Sequence, residues 1–112
     1  MALEQELVTL EFRANHCSFQ FAKNLRRGMS NTDVRNLQTA LDYISSASGA
    51  SAALPLTGYV GNATEAAVMA FQNMWSDKIL APNGMSSGNG FVGPSTRAVL
   101  NGLCENPDGS AY

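Results

Sequence analysis

Apolar and polar positions alternate along the chain with two different periods, and each period predicts an element. Residues 7 to 13 read Leu-Val-Thr-Leu-Glu-Phe-Arg, with Val8, Leu10 and Phe12 on one side and Thr9, Glu11 and Arg13 on the other. That is the period of a half-buried strand. Cys17, Phe19 and Phe21 repeat the period, so the two runs predict a hairpin across residues 14 to 16. A two-stranded hairpin is marginal alone, and its apolar face must cover something else.

From Val34 the period changes. Val34, Leu37, Leu41 and Ile44 recur at steps of three, four and three, one apolar stripe on a helix over about 32–47. Ser30, Asn31 and Thr32 are its candidate N-caps, and Asp33 suits the positive end of the helix dipole. A Ser, Ala and Gly-rich stretch from Ser45 to Ser51 ends this helix, and Pro55 keeps the following loop extended. Two later segments are alike: Tyr59-Val-Gly-Asn-Ala-Thr and, thirty-two residues on, Phe91-Val-Gly-Pro-Ser-Thr. In both, an aromatic residue ends an extended piece and a glycine allows the turn, after which Asn62 caps one helix and Pro94 starts another. The first helix is predicted over about 63–80, burying Thr64, Ala67, Val68, Phe71 and Trp75. The second is predicted over about 94–103, burying Thr96, Val99, Leu100 and Leu103. Two copies are too few for a solenoid and read as one motif used twice in a domain.

Composition narrows the function. The 112 residues suit one domain and are too short for two independent cores. Charged residues make up only 14%, and seven Lys+Arg against nine Asp+Glu give a net charge of −2. That balance argues against nucleic acid, whose non-specific affinity rests on several Lys/Arg–phosphate contacts. No stretch approaches the ~20 consecutive apolar residues of a membrane span, so no membrane insertion is expected. Glu4, Glu6, Glu11 and Arg13 break any basic-then-apolar secretion signal. An exported protein would then be the mature form, an excised domain, or cargo of another route. His16, Cys17 and Cys104 are too few and too widely spaced for a zinc site, so neither a metal nor a cofactor is expected. The two cysteines bracket the patterned part of the chain and read as two buried thiols or one disulfide. A Cys17–Cys104 bond would remove ~4–5 kcal/mol of unfolded-state entropy in the ideal chain model.

Taken together, these residues resemble a known pattern. Leu25, Gly28, Asp33, Val34, Leu37, Gln38 and Leu41 are similar to the opening of the small three-helix type of peptidoglycan-binding domain. Thr57-Gly58-Tyr59-Val60-Gly61, Thr64, Ala67-Val68 and Phe71-Gln72 resemble its second block. Gly90-Phe91-Val92-Gly93-Pro94, Thr96 and Leu100 resemble its close. The resemblance spans about residues 17 to 104. It implies a mainly α, three-helix bundle and a non-catalytic module that holds proteins on the cell wall, outside the cytoplasm. The chain departs from the pattern in the enlarged loops Ser45–Leu56 and Ala81–Gly90 and in the strand-like residues 1–24. The expected organisation is a β-strand or hairpin extension over 1–24, a three-helix domain over 25–104, and a polar tail over 105–112.

Wall glycan offers sugar faces, N-acetyl methyl groups, amides and peptide carboxylates, so its groove wants aromatic faces beside hydrogen-bond donors. Tyr59, Asn62, Gln72 and Trp75 supply these near the first corner, and Asn89 and Phe91 repeat the arrangement near the second. Each has a structural alternative. Tyr59 and Phe91 suit core plugs, Thr64 and Thr96 suit partners for nearby backbone, Gln38 and Gln72 suit bonds to loop backbone, and Trp75 suits the core. Lys23, Arg26 and Arg27 form the basic cluster, which faces either wall-peptide carboxylates or solvent. Asp33, Asp42, Glu65 and Asp77 form no evident acid pair of the kind a glycosidase needs, and Asp42 and Asp77 read as solvated helix-surface carboxylates. A second function class is a structural subunit of an extracellular or virion assembly that reuses this fold and self-associates through strands in residues 7–24.

Overall fold

The computed structural model describes residues 20–47 and 54–102. Helix α1, Thr32–Ala47, starts where Asn31 can cap it: the Asn31 Oδ1 accepts from the Val34 N–H at 2.9 Å. The Asn31 carbonyl accepts from Arg35 N–H at 3.3 Å, and Asp33 lies in the first turn. Val34, Leu37, Leu41 and Ile44 are all buried, with Ala40 between them, so the predicted stripe faces the core along its whole length. Asp42 differs from its expected solvated role. Its Oδ1 accepts from Leu54 N–H at 2.8 Å and anchors the chain where the long loop returns.

Helix α2 covers Asn62–Met74 and the single-turn α3 covers Ser76–Ile79, in place of the one helix expected over 63–80. The break is Trp75, whose ψ of 44° leaves the helical region. Its N–H still reaches the Phe71 carbonyl at 3.2 Å, while its own carbonyl accepts from Lys78 and Ile79 N–H groups and starts the next turn. The change of direction lets the consecutive residues Ile79 and Leu80 both enter the core, whereas adjacent positions on one straight helix point about 100° apart. A 3₁₀ turn over Ala81–Asn83 follows. It closes with Gly84 at φ 66°, Gly84 N–H on the Ala81 carbonyl and Met85 N–H on the Leu80 carbonyl, the paired bonds of a Schellman stop. Helix α4, Pro94–Gly102, buries Thr96 and Leu100, with Val99 packed at the core edge.

The segment before α1 ties these helices together. Phe21 is buried against α4, and its N–H and carbonyl both bond the Asn101 side-chain amide at 2.8 Å. Leu25 exchanges two backbone bonds with Val92, at 3.0 and 2.8 Å. Residues 26–29 then turn, with Met29 N–H on the Arg26 carbonyl and Gly28 at φ 92°, and Ser30 pairs with Tyr59. These two isolated bridges are the extent of β pairing among the described residues. The body is mainly helical, as expected, with four α-helices among the described residues; residues 20–24 carry no strand, and the rest of the expected strand extension over 1–24 lies outside the described residues. The expected strands up to Phe19, the Cys17–Cys104 bond and Leu103 lie outside the described residues. Among the described residues, no helix is long and apolar enough to cross a membrane.

Candidate functional site: two glutamine-clamped corners

The two sequence-similar corners are built by the same set of hydrogen bonds, each centred on a buried glutamine from the preceding helix. In the first corner, Gln38 of α1 donates from Nε2 to the Tyr59 carbonyl at 3.0 Å and to the Thr64 hydroxyl at 2.9 Å. Its Oε1 accepts from Gly58 N–H at 2.8 Å. In the second, Gln72 of α2 donates to the Phe91 carbonyl at 2.8 Å and the Thr96 hydroxyl at 3.1 Å, and accepts from Gly90 N–H at 3.0 Å. The residue two before each aromatic completes the set. Thr57 Oγ1 accepts from Tyr59 N–H at 3.2 Å and Asn89 Oδ1 accepts from Phe91 N–H at 2.9 Å, and both also receive the glutamine amide. Gly58 and Gly90 adopt φ of 80° and 82°, a region open to glycine, and this directs both lone pairs and protons of the corner at the glutamine. No buried side-chain polar atom among the described residues is left without a partner.

Each clamp holds the backbone of an aromatic residue. Val60 and Val92 fill the core at each corner, which leaves Tyr59 50% and Phe91 36% exposed. The rings lie over the glycine two residues on: a Cβ added at Gly61 would stand 3.4 Å from the Tyr59 ring, and one added at Gly93 would stand 2.8 Å from the Phe91 ring. Each ring thus lies close to backbone at the start of a helix while remaining open to solvent. The sequence reading of Tyr59 and Phe91 as core plugs is thus replaced by one in which the adjacent valines are the plugs.

The remaining candidate positions divide between surface and scaffold. Asn62 and Asn89 are exposed. Asn62 is not the cap that the sequence suggested: Gly61 occupies that position without a side-chain bond, and Asn62 stands at the first helical position, as Pro94 does in α4. Gln72 and Trp75 are 1% and 2% exposed. Gln72 is spent on the clamp, and the Trp75 ring packs against Phe71 with centroids 4.9 Å apart. In the basic cluster, Arg27 forms an ion pair with Glu65 at 3.3 Å; the Arg27 side chain is exposed and that of Glu65 is half-buried. Glu65 in turn lies against Gly90, where an added Cβ would stand 2.5 Å from its Cγ. The Arg27–Glu65 pair therefore sits between the turn at 26–29 and the second corner.

A prediction follows from the approach of the 88–90 segment to α2. An added Cβ at Gly88 would lie 2.6 Å from the Met69 carbonyl oxygen and 2.8 Å from Gln72 Oε1. Gly88→Ala is expected to cost about 1–3 kcal/mol of stability through overpacking against backbone, read as a shift of the urea midpoint with unchanged slope. A midpoint equal to that of the parent chain would contradict this packing.

Comparison with known proteins agrees with the geometry. Residues 30–75 match the family model described as "Putative peptidoglycan binding domain". The matched segment contains α1, the first corner and α2, and stops at Trp75, so the second corner lies beyond it. No curated protein and no solved structure matches the chain.

Proposed function

We propose that the protein is a non-catalytic module that binds cell-wall peptidoglycan or a related wall glycan and acts at the cell envelope or outside the cell. The observation that carries this reading is the match of residues 30–75 to the peptidoglycan-binding family over the segment whose corner presents the exposed Tyr59 ring. Sugar rings have apolar faces flanked by hydroxyls and amides, and a fixed aromatic face beside carboxamides complements them. Tyr59 with Asn62, and Phe91 with Asn89, supply that combination twice. Gln72 and Trp75 serve this surface from beneath, the first by holding the second corner and the second by filling the core.

Sedimentation with insoluble cell wall tests the reading. The full chain is expected to pellet with wall material. Tyr59→Ala and Phe91→Ala are each expected to weaken this about tenfold, equivalent to ~1.4 kcal/mol, while melting within a few degrees of the parent because both rings are at the surface. A parent chain that stays in the supernatant, or pelleting that neither substitution changes, would reject the proposal. Self-association through residues 7–24 is the competing reading, and an ordered oligomer in size-exclusion chromatography that retains no wall affinity would favour it.

A further inference from the structure

Beside the second corner, a groove of about 180 Å³ opens between the start of α4 and the 3₁₀ stop. Ile79, Met85 and Phe91 form its apolar lining, and Asn83, Asn89 and Ser95 its polar lining. None of the described residues that line it is charged. The groove is smaller than the ~300–1,000 Å³ of sites that enclose drug-sized ligands, and it suits one sugar ring or a comparable group. The polar groups are partly committed. Asn83 Nδ2 donates to the Ile79 carbonyl at 2.7 Å and to Ser95 Oγ at 3.0 Å, while Asn89 Oδ1 accepts from Phe91 N–H and Gln72 Nε2. Among the described residues this leaves Asn83 Oδ1 as an acceptor, and Asn89 Nδ2 and the Ser95 hydroxyl as donors, with bonds still to make.

We infer that this groove binds a neutral N-acetylated sugar unit, with the acetamido group as the recognised feature. An acetamide carries one N–H, one carbonyl and one methyl. The unspent acceptor suits its N–H, the unspent donors suit its carbonyl, and the Ile79–Met85 surface suits its methyl. Phe91, 36% exposed, lines the same groove and supplies an aromatic surface for the sugar ring. The uncharged lining disfavours a free amine or carboxylate, because nothing there would pair with the charge once it left water. The inference rests on the wall-binding proposal and deepens it, placing sugar recognition beyond the segment that matches the family.

The test is a titration of the isotopically labelled full chain, followed by amide NMR, with three neutral or cationic tetrasaccharides: N-acetylglucosamine, glucosamine and glucose oligomers. Saturable shifts confined to the amides of residues 79–96 are expected with the N-acetylated oligomer, and at least tenfold weaker binding with the other two. Asn89→Asp keeps the Oδ1 acceptor of the corner but removes the Nδ2 donor, and is expected to weaken binding about tenfold while the shifts that report the folded corner persist. Equal response to the glucose oligomer, or no response up to about 10 mM, beyond the millimolar affinities a site this small would be expected to reach, would overturn the inference. Wall sedimentation separates the two claims. If the chain pellets with wall but ignores the N-acetylated oligomer, only the groove assignment fails. If it binds the oligomer and not the wall, the wall-binding proposal fails and the groove assignment stands.

Discussion

Gln72→Ala is expected to destabilise the protein by at least about 3 kcal/mol, because each buried polar group left without its partner costs ~1–3 kcal/mol. The substitution strips the Phe91 carbonyl and the Thr96 hydroxyl of their donor, and the Asn89 and Gly90 N–H groups of their acceptor; Gln72, Gly90 and Thr96 are buried, while Asn89 and Phe91 are exposed at the rim of the groove. For a domain of this size that loss lowers the melting temperature by roughly 10–20 °C, measurable by circular dichroism. Gln72→Glu is the sharper variant. It retains Oε1 and the side-chain length but exchanges the double donor for oxygen, so the Phe91 carbonyl loses its donor and faces a carboxylate oxygen, while the Thr96 hydroxyl can turn to donate to that oxygen. A melting temperature within 3 °C of the parent for both variants would show that the second corner does not depend on the clamp.

Trp75→Ala is expected to cost about 3–5 kcal/mol, the usual range for deleting a large aromatic from a core. Trp75 is 2% exposed and sits at the break between α2 and α3, in contact with the Phe71 ring. Loss of wall binding by this variant alone would therefore carry no information about contact with the ligand, since the unfolded fraction would rise at the same time. Trp75→Phe resolves this: an aromatic ring of smaller volume preserves most of the packing, so wall sedimentation is expected to match the parent. A Trp75→Phe protein that keeps its melting temperature but no longer pellets would place Trp75 at the wall surface and contradict its burial.

Much of this architecture was legible from spacing. The α1 stripe was read correctly because Val34, Leu37, Leu41 and Ile44 are all apolar, all on one face and all buried. The two corners were visible because the aromatic, valine, glycine and threonine positions recur at a constant offset. The clamps were legible only in outline. Leu37-Gln38 and Phe71-Gln72 are a matching pair, but the equivalence of Thr57 with Asn89 is hidden because a hydroxyl and a carboxamide do the same work through different residue types. The exposure of Tyr59 and Phe91 was also beyond the pattern. In a short extended piece, neighbouring residues point to opposite sides, and both the aromatic and the valine are apolar, so periodicity alone does not say which one faces inward. The break at Trp75 left no mark because it uses neither glycine nor proline. Trp75 itself read both as a buried stripe position and as a ligand candidate, because a stripe edge and a stripe centre differ by only a small rotation of the helix.

Helix α2 belongs to both corners at once. Near its beginning, Thr64 receives the amide of Gln38, and near its end, Gln72 sends an amide to Thr96. The two halves are thus linked in series through α2. Losing α2 withdraws the acceptor from one junction and the donor from the other. The likeness between the halves suggests two independently folding repeats, but the shared helix makes them one cooperative unit, with the Tyr59 and Phe91 corners ordered or disordered together.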